Sequence, residues 1–229
     1  MRKYLLHVLI ISFLFLLAPT VHVASYAGEI EDAKEEVRKN PDDAWAHSKL
    51  GFAYYNTGKY QEAIKAFKQA LRIDPDSAGA HVGLGAAYGS LGKYQEAIES
   101  LKQAIKINPD DVTVPFAHYH LGLAYYNSGK YEEAIESYKQ AIRLDPDLPF
   151  THNNLGYTYY GLGKHKEAIE SFKQAIRLDP DFALAHVNLG YTYYGLGKSK
   201  EAIESFKQAI KIDPDYAEAH YNLGYTYVF

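Results

Sequence analysis

Three sets of residues recur in phase along this chain, and their period limits the fold more than any other feature. Leu-Gly stands at Leu50-Gly51, Leu84-Gly85, Leu121-Gly122, Leu155-Gly156, Leu189-Gly190 and Leu223-Gly224, in steps of 34, 37, 34, 34 and 34 residues. Alanine follows the same steps at Ala63, Ala97, Ala134, Ala168 and Ala202, and proline at Pro75, Pro109, Pro146, Pro180 and Pro214. A period of this length marks one supersecondary unit per repeat. Such a unit cannot bury its apolar face alone, so the core must be built by stacking neighbours.

Each unit reads as two helices. In the first, His47, Leu50 and Tyr54 fall three and four residues apart, on one helical face. Gly58, Gly92, Gly129, Gly163 and Gly197 follow that segment, where a left-handed cap favours glycine. The second segment, such as 94–107, is expected to bury Ala97, Ile98, Leu101, Ala104 and Ile105. Gly85 and Ala97 are small enough for the paired helices to approach closely. Asp-Pro or Asn-Pro then ends each second helix, because the residue before proline disfavours helical geometry.

These residues resemble the tetratricopeptide repeat, whose 34-residue unit reads W-x2-L-G-x2-Y, A-x3-F, then A and P. The first unit here gives His47, Leu50, Gly51, Tyr54, Ala63, Phe67, Ala70 and Pro75. The fifth gives His186, Leu189, Gly190, Tyr193, Ala202, Phe206, Ala209 and Pro214. His replaces the family's Trp, and Leu101 and Tyr138 replace Phe in two units. The resemblance implies an all-α, right-handed superhelical solenoid of antiparallel hairpins, with first helices inside and second helices outside. It also implies a binding scaffold, not an enzyme. The expected units are 44–77, 78–111, 115–148, 149–182, 183–216 and a half unit, 217–229. The extra Val112-Thr113-Val114 is about one helical turn, absorbed by a longer helix or a wider loop.

The ends differ from the repeats. Residues 1–27 carry Arg2 and Lys3, an apolar run from Leu5 to Ala18, and small residues at Ser25 and Ala27, the layout of a secretory signal peptide. An uncleaved anchor over 4–24 is the alternative, since no charged residue occurs from Tyr4 to Gly28. The protein is therefore expected outside the cytoplasm, periplasmic or secreted, and on a membrane only if that segment is retained. Residues 28–43 read as an N-terminal capping helix. The half unit supplies only a first helix, leaving His220, Leu223, Gly224 and Tyr227 uncovered. Such an end would promote self-association, or reflect truncation of a longer protein.

Residues off the packing face of the first helices are expected to line the concave wall. They are Trp45, Phe52 and Tyr55; Tyr119 and Tyr126; Asn154, Tyr157 and Tyr160; Asn188, Tyr191 and Tyr194; and Asn222 and Tyr225. The second unit is shallow there, with Val82, Gly83, Ala86 and Gly89. Tyrosine offers wide contact area with few rotors, and Asn bonds both ways to a backbone. That surface suits an extended peptide or a helix, or alternatively a glycan contacted by an envelope-export component. Some members of the resembled family clamp a carboxylate tail with basic residues plus Asn. Lys49 is the only basic residue in this groove, so no such clamp is expected.

Other chemistry is not supported. With 24 Lys+Arg against 28 Asp+Glu the chain carries no basic field for nucleic acid. Without cysteine it has no disulfide, thiolate metal site or lipid-modified Cys. His47, His81, His118, His152, His186 and His220 recur once per unit. Helices about 8–10 Å apart cannot bring two such rings within the ~4 Å that shared zinc requires, so packing and hydrogen bonding are expected. Gly197-Lys198-Ser199 lacks the phosphate loop's upstream Gly, as Thr192 stands there, and Gly83-Leu84-Gly85 lacks a third spaced Gly. No cofactor, metal or catalytic set is expected.

Overall fold

The computed structural model describes residues 22–228, and twelve α-helices and no strand occur among them. They are α1 His22–Lys39, α2 Ala44–Asn56, α3 Tyr60–Ile73, α4 Ala78–Ser90, α5 Tyr94–Ile107, α6 Val114–Asn127, α7 Tyr131–Leu144, α8 Pro149–Gly161, α9 His165–Leu178, α10 Ala183–Gly195, α11 Ser199–Ile212 and α12 Ala217–Val228. The chain is an all-α helical repeat. It divides into two compact units, the first ending at Thr113 and the second beginning at Val114. The division falls inside the three-residue insertion. Both expected ways of absorbing it are used: α6 has 14 residues where α2, α4, α8 and α10 have 13, and residues 108–113 form a longer connection. Most of the leader expected over 1–27 lies outside the described residues. No helix among the described residues is long and apolar enough to cross a membrane.

In the first unit α2 pairs with α3 and α4 with α5, while α1 packs on α2 through Ile30 and Ala33. In the second, α6/α7, α8/α9 and α10/α11 are hairpins, and α12 packs on α11. The five turns inside hairpins repeat one geometry. Gly58, Gly92, Gly129, Gly163 and Gly197 all have φ between 69° and 77°, the left-handed region a side chain would strain. Ala97, Ile98, Leu101 and Ala104 are buried as expected, and Ile105 is half-buried at the edge of its stripe.

Between hairpins the turn is tied twice. The carboxylate of Asp74, Asp145, Asp179 or Asp213 accepts the N–H of the residue two places on, across the proline. The recurring histidine then locks the turn to the next helix. Nε2 of His47, His81, His152, His186 and His220 bonds the carbonyl of Pro41, Pro75, Pro146, Pro180 and Pro214 at 2.8–3.1 Å. His118 departs from this pattern. The insertion puts Pro109 nine residues upstream instead of six, and the His118 Nδ1 is buried with no hydrogen-bond partner.

The Leu-Gly ladder from Gly51 to Gly190 is explained by the large side chain opposite each glycine, a ring in every unit but the second, where Leu101 faces Gly85. A Cβ on Gly156 would lie 2.8 Å from Phe172, and one on Gly190 would lie 2.6 Å from Phe206. Gly224 occupies the same repeat position, yet nothing lies within 4 Å of its missing Cβ. Gly190→Ala should therefore destabilise the second unit by about 1–3 kcal/mol through overpacking. Gly224→Ala should cost nothing, since Ala is the better helix former. Urea unfolding of both variants checks the contrast, and equal midpoints would contradict the packing described.

Candidate functional site

The first helices are almost free of charge. Among α2, α4, α6, α8, α10 and α12 the only acidic or basic side chains, histidine aside, are Lys49 and Glu218. Lys49 is paired with Glu36 of α1. Among the described residues the remaining charges sit on the second helices, the turns and α1. A surface built from first helices therefore recognises by shape, aromatic contact and neutral hydrogen bonds.

In the first unit the expected residues separate. Trp45 is 63% exposed. Phe52 instead turns its ring edge-on to the buried Phe67, at 4.9 Å, and is part of the packing. Tyr55 lies tilted against Tyr60 at 5.5 Å, and burial raises its pKa, partly offset by a hydrogen bond with Ser90.

In the second unit the expected tyrosines come together. Tyr126 meets Tyr157 at 5.8 Å across α6 and α8, and Tyr194 meets Tyr225 at 5.7 Å across α10 and α12. Burial and each neighbour's hydroxyl raise the pKa of Tyr126 and Tyr194. Tyr119 packs edge-on to Phe150 at 5.0 Å, and Tyr160 lies 5.5 Å from His165. Tyr191, Tyr194, Tyr221, Asn222, Tyr225 and Thr226 surround a depression of about 200 Å³ between α10 and α12, with the Phe206 ring behind them. Of these tyrosines Tyr221 is 70% exposed and Tyr225 is also open, while Tyr191 and Tyr194 are half-buried.

The asparagines, expected to bond both ways to a ligand backbone, bond within the protein. Asn188 Nδ2 donates to Asn153 Oδ1 at 2.9 Å, Asn153 Nδ2 to Asn154 Oδ1 at 3.4 Å, and Asn154 Nδ2 to the Tyr119 hydroxyl at 3.3 Å. This relay runs one way across α10, α8 and α6. It satisfies the buried Asn153 and fastens three first helices together. Asn222 is only 6% exposed, and its Nδ2 donates to the Glu218 carbonyl of its own helix at 2.7 Å. The wall is thus tyrosine presented over an asparagine seam.

A second set of tyrosines stands at the repeat motif's own tyrosine position, and its cation partners were not foreseen from sequence. Tyr88, Tyr125, Tyr159 and Tyr193 lie on the other face of the first helices, beneath lysine ammonium groups. Lys68 and Lys93 flank Tyr88 at 5.6 and 5.9 Å, and Lys173 and Lys198 flank Tyr193, both at 5.9 Å. Such cation–π contacts contribute about 0.5–1 kcal/mol each at exposed sites. The signal was legible, as Lys68, Lys139 and Lys173 each precede their tyrosine by 20 residues. Much of the tyrosine content is therefore structural.

No group of three or more His, Cys, Asp or Glu able to hold a metal ion occurs among the described residues. The histidines do affect stability. Burial pushes His120 down to about 4, and burial is also the first cause holding His118 and His152 below the ordinary value. These rings are neutral in the fold but charge near pH 6.5 once unfolded, so protons favour the unfolded chain. Stability is full above pH 6.5 and falls as pH drops from there toward 4. His120, held lowest of the three, is the largest contributor to that loss. Chemical denaturation between pH 7.5 and 4.5 checks this. His120→Asn, the residue the next units carry at this position, should flatten the dependence; an unchanged slope would contradict it.

The sequence profile of the TPR repeat matches residues 122–163, 156–197 and 193–228, and that of the tetratricopeptide repeat matches 42–110. The chain belongs to the tetratricopeptide repeat family. TPR proteins are in general non-enzymatic scaffolds for protein–protein interaction. Among solved structures, MamA is 31% identical, with a TM-score of 0.64 covering 74% of this chain and 97% of that one. YrrB, a TPR protein with an unusual peptide-binding site, is 23% identical at a TM-score of 0.63, covering 84% and 97%. PilW, a type IV pilus biogenesis factor, is 21% identical at 0.80, covering 88% and 92%. The last two establish the fold alone. None of the curated proteins compared matches the chain.

Proposed function

We propose that this TPR chain is a non-enzymatic scaffold acting outside the cytoplasm, and that it holds an uncharged peptide segment along the tyrosine wall of α6, α8, α10 and α12. The observation that carries the reading is the first-helix surface of α6, α8, α10 and α12, whose one charged side chain besides histidine is Glu218 and on which Tyr157, Tyr221 and Tyr225 are exposed. Aromatic rings with hydroxyl tips supply contact area and directional bonds at small entropic cost. YrrB offers a precedent for a peptide site on this fold. The location rests on the basic start and apolar run of residues 1–27.

Selection of peptides displayed against the full chain tests the reading, run beside an array of glycans because rings and amides also suit sugars. Neutral peptides that lose binding when Tyr157 and Tyr191 are both changed to Ala support it. Binding to glycans without peptides would favour the envelope-export reading instead. Self-association through 217–229 belongs to the same proposal, as Tyr227 and Val228 stand exposed there. Light scattering that stays strictly monomeric with rising concentration removes that part.

A further inference from the structure

We infer that the occupant of the tyrosine wall is a proline-rich segment in the polyproline II conformation, seated between α10 and α12; this rests on the peptide-binding reading above. Three observations select that conformation.

The first is spacing. In the second unit α8 packs directly on α10, and α10 on α12, each presenting tyrosines at the same register: Tyr157 and Tyr160, then Tyr191 and Tyr194, then Tyr225. Packed helices lie about 8–10 Å apart. A polyproline II chain returns to the same face every three residues, about 9 Å. A β-strand returns every ~7 Å and loses register by the second helix.

The second is hydrogen-bonding character. Proline has no N–H, so a proline-rich chain offers carbonyls and needs donors only. Tyrosine hydroxyls can donate to them. In the seam beneath the wall two acceptors are already taken: Asn153 Oδ1 receives the Asn188 amide and Asn154 Oδ1 receives that of Asn153. The one carboxylate on α6, α8, α10 and α12 is Glu218, which lies outside the lining of the depression.

The third is shape and charge. The depression between α10 and α12 is about 200 Å³, aromatic on its sides, with Phe206 behind it. Its lining has no charged side chain to attract an acidic or basic ligand. Aromatic-lined grooves hold polyproline II segments by stacking rings against pyrrolidine faces, at little ordering cost because that conformation is preformed.

The test is fluorescence anisotropy with the full chain and three labelled probes: ten prolines, a ten-residue Gly-Ser peptide and a neutral glucose hexamer. The proline peptide should bind at least about tenfold tighter than the other two. Tyr191→Ala and Tyr225→Ala should each weaken it about tenfold, as expected of aromatic anchors. Tyr191→Phe keeps the ring and should lose about threefold or less, which separates lost stacking from lost folding. Raising salt from about 50 to 500 mM should leave affinity nearly unchanged. Equal binding of the Gly-Ser peptide, preference for the hexamer, or indifference to both Ala variants overturns the inference. If the proline peptide fails while display-selected peptides still depend on Tyr157 and Tyr191, this inference falls and the broader reading stands. If no peptide depends on those tyrosines, both fall.

Discussion

Phe172→Ala is expected to destabilise the second unit by about 3–5 kcal/mol, the cost of emptying a core position whose walls cannot close. The ring is fully buried and joins two hairpins. It sits over Gly156 of its own hairpin, where even a Cβ would come within 2.8 Å, and it packs with Ala168 and with Leu189 of the next. Helix backbone lines one side of the site, so collapse into the space would require α8 to move as a body. The repeat supplies its own control. Leu101 holds the same place in another hairpin, against Gly85, and is also fully buried. Phe172→Leu should accordingly cost less than about 1.5 kcal/mol. Glu170→Ala, exposed on the same helix, should change stability by no more than about 0.5 kcal/mol. Urea unfolding midpoints check the series, and a Phe172→Ala cost near that of Glu170→Ala would contradict the role given to the ring.

The double change Tyr157→Ala with Tyr191→Ala is expected to weaken peptide binding about 100-fold while leaving the fold intact. The two residues stand on different first helices, α8 and α10, so their losses should add, at about tenfold each. Tyr157 is 46% exposed, and its truncation removes little buried area. Tyr191 is half-buried and meets Phe206 edge-on at 5.9 Å, so it carries a stability cost of about 1 kcal/mol as well. Isothermal titration against a selected peptide measures the affinity, and helical circular dichroism with a thermal scan checks the fold. Loss of helix together with binding would assign Tyr191 to packing. Tyr157→Ala alone then carries the test, since its ring contributes little to the core.

The hairpin repeat was legible in the sequence because its determinants are local and periodic. Gly58 and its four counterparts announce a left-handed turn, and Leu50-Gly51 announces a close helix approach, wherever they fall. What was not legible depended on side-chain direction. Asn188 and Asn222 hold the same repeat position, yet one amide reaches across to Asn153 and the other turns into its own helix. The difference lies in the neighbour: Asn153 stands opposite Asn188, whereas Val187 is the corresponding residue opposite Asn222 and offers no side-chain acceptor. Phe52 and Tyr55 likewise share the spacing of groove residues, but Phe67 draws the Phe52 ring toward the core. The histidine ladder was expected to pack and hydrogen-bond. Its partner, the proline carbonyl six residues upstream, became visible only with the turn folded.

Photo-crosslinking of a selected neutral peptide, carrying a diazirine side chain at its centre, reports where the ligand lies on the full chain. The account predicts adducts on Tyr157, Tyr160, Tyr191 and Tyr194. Adducts on the exposed lysine-bearing faces of α7, α9 and α11, at Lys139, Lys173 or Lys207, would place recognition on the charged second helices and contradict it.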